Sequence, residues 1–305
     1  MGAPVLDNLK AALVIATLGL LALLPLRWAH GLGGWLGRRQ ARNRGGKLAA
    51  NTWRNLELCF PELDDDARDH LAAESLEQTG CTSAEMGMSW FWSPERSLAK
   101  IRDVHDECVV RDALAEGRGV ILMAPHLGNW ELLNLYVSNR YRPFTAMYKP
   151  PQLKLIDDLI LRRRARLGST MAPANASGVR TVMKALKRGE MVGILPDQQP
   201  ERSGGVFAPF FGIDALTMKL VPQLARQTGA RVICGYAKRL PKGEGYEVFF
   251  RDAEDGIGDR DLEKGAAAMN RSVEACVRAL PEQYQWEYRR FSERPEGQPK
   301  RYGKR

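Results

Sequence analysis

The chain has 305 residues, a formal net charge of +9 and 44% hydrophobic residues. This composition excludes an intrinsically disordered protein, and the length allows one large domain or two small ones. The excess of 45 basic over 36 acidic residues favours anionic partners, such as phospholipid head groups or an acidic carrier protein. Nucleic acid is not expected as a partner, because the sequence has no zinc-finger spacing, no RNA-binding aromatic signature and no basic helix joined to heptads.

The first element along the chain is an uncharged apolar run of sixteen residues, Ala11 to Leu26. About 20 residues span a bilayer comfortably, yet we predict that residues 1–30 form an N-terminal membrane anchor. A removable secretory signal peptide and a buried N-terminal helix are the alternatives. The six charged residues from Arg27 to Lys47 are all basic, so the positive-inside rule places the main body on the cytoplasmic side of the bacterial inner membrane.

The segment after the anchor, HGLGGWLGRRQ, is rich in glycine. We expect it to lie at the level of the lipid head groups without forming a firm helix, with Arg38 and Arg39 on phospholipid phosphates. Trp28 and Trp35 would suit the membrane interface.

Residues 31–118 have mainly helical periodicity, and we predict that they form the helical part of a single domain that spans residues 31–292. Beyond residue 119, short apolar runs alternate with amphipathic helices. This alternation predicts an α/β core over residues 119–292, with a mixed, largely parallel central sheet flanked by helices.

Three further elements are predicted in the second half of the chain. SGGVFAPFFG reads as a glycine-containing loop that is followed by a helix near residues 216–228, and the runs RVICGYAKRL and YEVFFRD read as an antiparallel hairpin. The polar, basic tail, residues 293–305, is expected to be mobile.

The five cysteines are scattered and form no C-x-x-C pair. We therefore expect packing thiols in a reducing compartment, with neither a disulfide framework nor a metal site.

His126 is the candidate general base among four histidines. It follows the apolar run VILMAP, where a strand emerges into a loop, and the carboxyl ends of strands are where α/β sheets bind ligands. His30, His70 and His105 fall in linker or helical surface contexts.

A carboxylate lies five residues after His126 in the string HLGNWE. Asn129 can cap a helix that begins at Trp130, which places Glu131 in its first turn. A carboxylate that accepts a hydrogen bond from one imidazole nitrogen fixes the tautomer and leaves the other nitrogen free to take a proton from a hydroxyl. The spacing by itself is common by chance in a chain with 36 acidic residues.

Seven segments between Asn51 and Phe291 carry a more specific signal. They are NLELCFPEL, EMGMSWFWSPER, GRGVILMAPHLGNWE, MYKPP, ASGVRTVMKALKRGEMVGILPDQQP, GGVFAPFFG and PEQYQWEYRRF. In these motifs and their order the sequence resembles the late (lauroyl/myristoyl) acyltransferases of lipid A biosynthesis, within the wider glycerolipid acyltransferase group that shares an H-x4-D/E motif.

The resemblance implies that His126 and Glu131 form the catalytic dyad, with an acyl-carrier-protein thioester as donor and a hydroxyl of a glucosamine-based lipid A precursor as acceptor. The tetrahedral oxyanion of acyl transfer needs nearby positive charge or N–H donors. Lys149, in MYKPP, is placed to supply charge, although the family more often has arginine there. A solvated lysine at a strand end is the alternative.

Other polar residues have two interpretations each. Asp197 and Gln198 could orient the acceptor or hold the loop SGGVFAPFFG, and the alternative is that Asp197 only caps a turn. A cluster of arginines at the end of one helix complements the helix dipole, and it could also dock the carrier protein or lipid phosphates. The cluster comprises Arg162, Arg163, Arg164 and Arg166.

The sequence lacks the G-x-S-x-G motif of serine hydrolases, the Walker phosphate loop of nucleotide-driven enzymes and the G-x-G-x-x-G motif of dinucleotide-binding redox enzymes. These three classes of enzyme are therefore not expected. We predict direct acyl transfer without a cofactor. The alternatives are the same chemistry on a lysophospholipid, a phosphatidylinositol mannoside or an aryl polyene, and a non-catalytic membrane protein that binds lipid.

Overall fold

The computed structural model describes residues 3–303. Within them the helices are α1 (Ala3–Leu23), α2 (Leu26–Ala41), α3 (Lys47–Cys59), α4 (Asp65–Phe91), α5 (Pro94–Leu98), α6 (Glu107–Ala115), α7 (Trp130–Arg140), α8 (Lys154–Arg164), α9 (Ala176–Lys187), α10 (Leu220–Thr228) and α11 (Leu262–Ala279). The strands are β1 (Ile101–His105), β2 (Val120–Met123), β3 (Phe144–Tyr148), β4 (Thr170–Pro173), β5 (Met191–Ile194), β6 (Gly205–Phe210), β7 (Ile213–Met218), β8 (Arg231–Arg239) and β9 (Tyr246–Asp252).

Seven strands form the central sheet, in the order β1-β9-β8-β2-β5-β3-β4. The five strands from β8 to β4 run parallel to one another, and β9 pairs antiparallel with β8. The predicted hairpin of β8 and β9 is therefore confirmed, as is the mixed, largely parallel sheet.

Helices cover both faces of this sheet, which explains the uninterrupted apolar run of β2. Ile121 and Met123 pack in the cluster that includes α9 and α11, whereas Val120 and Leu122 pack on the opposite face in the cluster that includes α6 and α7. All four side chains are buried. The predicted α/β architecture follows from this double burial.

The N-terminal helix α1 is a candidate membrane anchor. Its segment Leu6–Leu23 is long and apolar enough to cross a membrane, and 11% of that segment is buried inside the protein. It packs on α4, where a Cβ added at Gly87 would lie 2.5 Å from the Leu18 carbonyl oxygen. Its low burial argues against the alternative of a buried N-terminal core helix.

The glycine-rich segment after the anchor forms the regular helix α2, so the prediction that it lacks a firm helix was wrong. Its glycines form the contact with α4: a Cβ at Gly37 would lie 2.1 Å from the Leu76 carbonyl oxygen, and one at Gly33 would lie 2.4 Å from that of Gly80. Close packing against α4 offsets the low helix propensity of glycine. On the outer face, Trp28 and Trp35 are exposed.

Other segments also differ from the sequence prediction. Residues 101–105, within the stretch predicted to be helical, form the edge strand β1. The segment predicted as a glycine-containing loop contains β6, which pairs antiparallel with β7 because its apolar residues are buried by α11. In the tail that we expected to be mobile, Tyr302 donates a hydrogen bond to Asn55 at 2.5 Å.

Candidate active site

Three neighbouring strands of the central sheet end beside one another with polar residues. Strand β5 lies between β2 and β3, and all three run parallel. His126 follows β2, Asp197 follows β5 and Lys149 follows β3. The sheet order therefore places these residues at one edge, the carboxyl edge, where α/β folds bind ligands.

The loop of residues 126–129 is fixed by backbone hydrogen bonds. Gly128 donates to the Gln283 carbonyl at 3.0 Å, and Asn129 donates to the Ala237 carbonyl at 2.8 Å. Gly128 has a φ of +60°, and a Cβ there would lie 2.0 Å from the Ala237 oxygen. Only glycine fits this left-handed conformation and close approach. The loop thus presents His126 from a rigid backbone.

The His126 ring is held by the carboxylate of Asp197. Its Nδ1 lies 2.8 Å from Asp197 Oδ1, and its backbone N–H donates to Asp197 Oδ2 at 2.9 Å. With Asp197 ionised, Nδ1 carries the hydrogen and Nε2 is left as an acceptor. Within residues 3–303, Nε2 makes no hydrogen bond, and the side chain is 14% exposed.

Asp197 stays ionised although it is buried. Burial alone would raise the pKa of its carboxyl group. The electrostatic interaction with His126 and the hydrogen bonds from the His126 ring and backbone outweigh burial, so the pKa of Asp197 lies below its ordinary value. Asp197 is therefore an ionised hydrogen-bond acceptor for Nδ1 of the His126 ring.

Glu131 has a different partner from the one the sequence predicted. It occupies the first turn of α7 as expected, but its carboxylate forms a two-pronged ion pair with Arg164, including a 3.0 Å hydrogen bond from Nε to Oε2. Among the described residues it makes no hydrogen bond to His126. The carboxylate that holds the imidazole is Asp197, because the pairing of β2 with β5 places Asp197 closer than the chain spacing suggested.

Asn129 caps α7, as predicted, by accepting a hydrogen bond from the Leu132 N–H at 2.9 Å. Its side-chain amide also donates to Glu85 of α4 at 3.0 Å. Glu85 is 0% exposed and is held further by His30 Nε2 at 2.6 Å and by Arg239 Nη2 at 2.6 Å. A buried charged cluster thus joins α2, α4, β8 and the active-site loop.

This cluster corrects the placement of His30, which the sequence suggested lies in a linker or on a helix surface. The side chain is buried between α2 and α4. Burial raises the pKa of Glu85, but the Arg239 charge and the hydrogen bonds from Arg239 and His30 outweigh it and lower that pKa to about 2. Glu85 is therefore a buried anion held by a buried cation.

Replacing Glu85 with glutamine is expected to lower the free energy of unfolding at pH 7 by about 3–5 kcal/mol, because Arg239 would be left as a buried unpaired charge. The folded-state pKa of Glu85 is depressed, so its contribution is present above its ordinary pKa of 4.5 and is lost as the pH falls through about 2. Denaturant unfolding in detergent from pH 7 to pH 2 checks both expectations.

Glu74→Gln is the matched control for Glu85→Gln on the same helix. Glu74 pairs with His70 at 3.2 Å on the surface, and exposed pairs contribute about 0–1 kcal/mol. An equal loss of stability in the two variants would contradict the assignment of Glu85 as a buried structural anion.

A cleft with a volume of about 200 Å³ opens beside His126 and Trp130. The Trp130 ring meets the imidazole edge-on, with ring centroids 5.0 Å apart. One wall comes from α4 and the other from residues 283–287. Because His126 lines this cleft, its unbonded Nε2 can accept a proton from a hydroxyl group that binds in the cleft.

The remaining predicted residues are distributed around this cleft. Lys149 is exposed after β3 and is not part of the cleft lining. Gln198 donates to the Gln285 side chain at 3.2 Å and so holds the wall formed by residues 283–287, not the segment SGGVFAPFFG. Among residues 3–303, no group of three or more histidine, cysteine or carboxylate side chains is placed to hold a metal ion.

The four arginines of the predicted docking cluster divide into two pairs. Arg164 binds Glu131, and Arg166 donates to the carbonyls of Trp92 and Ser89 at the end of α4. Arg162 is exposed, and Arg163 lies over the Phe91 ring at 5.4 Å. Arg164 and Arg166 therefore make hydrogen bonds to other elements of the protein, whereas the hydrogen bond of Arg162 is to the Asp158 carbonyl of its own helix at 3.1 Å.

The comparisons with known proteins agree with the motifs. A family profile described as "Bacterial lipid A biosynthesis acyltransferase" matches residues 3–293. The lipid A biosynthesis lauroyltransferase of Escherichia coli (strain K12) is 36% identical over 291 residues, which cover 94% of this chain and 93% of that protein. The palmitoleoyltransferase of the same strain is 33% identical, with coverage of 82% and 80%. Its myristoyltransferase is 23% identical, with coverage of 96% and 90%.

Proposed function

This chain belongs to the bacterial lipid A biosynthesis acyltransferase family, and on that premise we propose that it transfers a fatty acyl chain from an acyl-carrier-protein thioester directly onto a hydroxyl of a lipid A precursor. The observation that carries the proposed mechanism is the 2.8 Å contact between Asp197 and His126 Nδ1, beside a cleft. It supports a role for Nε2 as general base.

The proposed reaction needs no cofactor, because every bond and proton is accounted for by the two substrates and His126. The oxygen of the acceptor hydroxyl attacks the thioester carbonyl carbon while His126 takes the hydroxyl proton. The C–S bond then breaks, its electron pair leaves with sulfur, and His126 returns the proton to the carrier thiolate. An ester and a free thiol form with no net uptake of protons.

Other charged groups have supporting roles in this proposal. Lys149 is proposed to supply positive charge to the tetrahedral oxyanion; it lies outside the cleft lining, and the proposal rests on its place at the carboxyl end of β3 and on the family resemblance. Glu131 acts as a positioning residue, because its ion pair with Arg164 ties the first turn of α7 to α8.

The proposed place of the reaction is the cytoplasmic face of the inner membrane. The exposed apolar helix α1 supports attachment to a membrane, and the basic residues that follow it support the orientation. Such a position would let a soluble carrier protein deliver the acyl group while the lipid acceptor stays in the bilayer.

We expect the double substitution Arg162→Glu and Arg163→Glu to raise KM for the acyl-carrier-protein donor about 2–10-fold, since single exposed ion pairs contribute about 0.2–1 kcal/mol. The carrier is acidic, and among the described residues the side chains of Arg162 and Arg163 form no ion pair and no hydrogen bond to another helix or strand, unlike those of Arg164 and Arg166. Steady-state kinetics with varied donor is the measurement.

Arg111→Glu is the control for this charge reversal, because Arg111 is exposed on α6, which packs on β8 and β9, whereas α8 packs on α1 and α4. An unchanged KM for the carrier donor in the double variant would eliminate the docking role. A similar rise for Arg111→Glu would attribute the effect to net charge alone.

The test of the proposed function uses the purified full-length protein in detergent with radiolabelled acyl donors. We expect transfer to a lipid A precursor, faster from the acyl-carrier-protein thioester than from the corresponding coenzyme A thioester. Acylation of a lysophospholipid with no product on the lipid A precursor would overturn the proposed acceptor. Equal rates with both donors would overturn the proposed donor.

A further inference from the structure

The cleft wall formed by residues 283–287, which is tied to the His126 loop by a hydrogen bond from the Gln285 N–H to the His126 carbonyl at 3.2 Å, contains one carboxylate, Glu287. Its Oε2 accepts a hydrogen bond from the Thr79 hydroxyl of α4 at 3.2 Å. Both residues line the cleft with His126. The contact joins the two walls, so Glu287 lies where a molecule bound in the cleft would meet both α4 and the segment 283–287.

Glu287 differs from the other buried carboxylates of this region in its surroundings. Glu85 is paired with Arg239, Glu131 with Arg164, and Asp197 with His126. Across residues 3–303, no lysine, arginine or histidine nitrogen lies within 4.0 Å of the Glu287 carboxylate. Burial raises the pKa of Glu287 above its ordinary value. A half-buried carboxylate without a cationic partner is costly unless other donors satisfy it.

The Thr79 hydroxyl donates to Glu287 at 3.2 Å, and the Gln285 side chain and the Glu287 backbone N–H also interact with the carboxylate, which offers about four lone-pair sites. The remaining acceptor sites can take O–H or N–H donors from a ligand. The neighbouring wall residues are also uncharged hydrogen-bonding groups: Thr82, Ser83, Gln283 and Gln285. This set of hydroxyl, amide and carboxylate groups suits a neutral hydroxylated ligand, and the negative charge disfavours a phosphate at the same position.

We propose that Glu287 and Thr79 form an acceptor subsite that binds uncharged hydroxyl or N–H groups of the glucosamine-based lipid and keeps its phosphates out of the cleft. This inference rests on the proposed function, since it concerns the acceptor of that reaction. Glu287 is a specificity-determining residue in this arrangement, and it orients the hydroxyl whose proton His126 takes.

The test is the kinetics of Glu287→Ala and Glu287→Gln in the full-length enzyme, with lipid acceptor and carrier donor varied separately. We expect Glu287→Ala to raise KM for the acceptor about tenfold, equivalent to about 1.4 kcal/mol, with KM for the donor unchanged. Glutamine keeps one acceptor oxygen, so Glu287→Gln should recover part of the loss. An unchanged acceptor KM, or a fall in kcat alone, would overturn the subsite.

Glu282→Gln is the matched control, because Glu282 directly precedes the segment 283–287, is also partly buried with a raised pKa, and is not part of the cleft lining. It should keep the wild-type acceptor KM. If Glu287→Ala does not fold, Thr79→Val tests the same contact from the α4 wall, with an expected rise in acceptor KM of about threefold. No rise in Thr79→Val would then overturn the proposal.

A competition measurement separates this inference from the proposed function. Lysophosphatidic acid should inhibit Glu287→Gln more strongly than the wild-type enzyme, because the charge that repels phosphate is gone; equal inhibition would overturn the exclusion of phosphates. If the wild-type enzyme does not acylate a lipid A precursor at all, the proposed function fails. If the wild-type enzyme acylates the lipid A precursor and Glu287→Ala has the same acceptor KM, only the proposed subsite is overturned.

Discussion

Replacing His126 with alanine is expected to slow acyl transfer by about 10²–10⁴-fold, the usual contribution of a general base. Nε2 is the unbonded nitrogen of a ring whose other nitrogen is already bound to Asp197 at 2.8 Å. Without the imidazole, the acceptor hydroxyl has no such proton acceptor. Single-turnover transfer from a labelled carrier thioester measures the chemical step directly.

The fold should survive this substitution, because the backbone of the loop is held by Gln283, Ala237 and Gln285 independently of the imidazole. His70→Ala is the control, since His70 is exposed on α4. It should keep the wild-type rate. A folded His126→Ala variant that transfers at the wild-type rate would refute the general base.

Asp197→Asn is expected to reduce kcat about 10²-fold or more, with KM for both substrates close to wild type. Asparagine preserves the shape of the side chain but can present an N–H to Nδ1 and so favour the wrong tautomer, the effect known from serine-protease triads. The carboxylate is buried, so water does not readily replace it. Initial rates with donor and acceptor varied separately give kcat and both KM values.

The pH dependence gives a second readout for Asp197. Its folded-state pKa is depressed, so the stability that it contributes is present above its ordinary pKa of 3.8 and is lost as the pH falls through the depressed value. The stability difference between the wild type and Asp197→Asn should therefore shrink only below about pH 4.

In the kinetic measurement on Asp197→Asn, a rise in both KM values with kcat unchanged would instead indicate a role in substrate binding.

The central α/β architecture could be predicted because its signal is local. The run Val120–Met123 is apolar at every position, which is typical of a strand buried on both faces, and the helices between the strands are amphipathic. The cap of α7 by Asn129 was equally local. Such features depend on residues a few positions apart.

The partner of His126 could not be predicted because it depends on strand order. Glu131 is five residues away along the chain and Asp197 is 71, yet β2 pairs with β5 and places Asp197 against the imidazole. The sequence did offer one signal, since Asp197 also follows an apolar strand. That signal placed Asp197 at the carboxyl edge of the sheet, but it did not show that Asp197 contacts His126.

The buried cluster around Glu85 escaped prediction for the same reason. Along the chain, His30 lies 55 residues from Glu85, and Arg239 lies 154 residues from it. The Glu85 side chain also lies on a helix whose other charged side chains are exposed or half-buried, so periodicity could not distinguish it. In α2, glycine predicted a weak helix, whereas close packing against α4 stabilises it.

The most direct measurement of the central claim is a double-mutant cycle on the single-turnover rate with His126→Ala, Asp197→Asn and the double variant. If Asp197 acts by holding the imidazole that accepts the hydroxyl proton, Asp197→Asn should not lower the single-turnover rate further once His126 has been replaced by alanine. We predict that the double variant is no slower than His126→Ala. Two losses that multiply in the double variant would contradict the account.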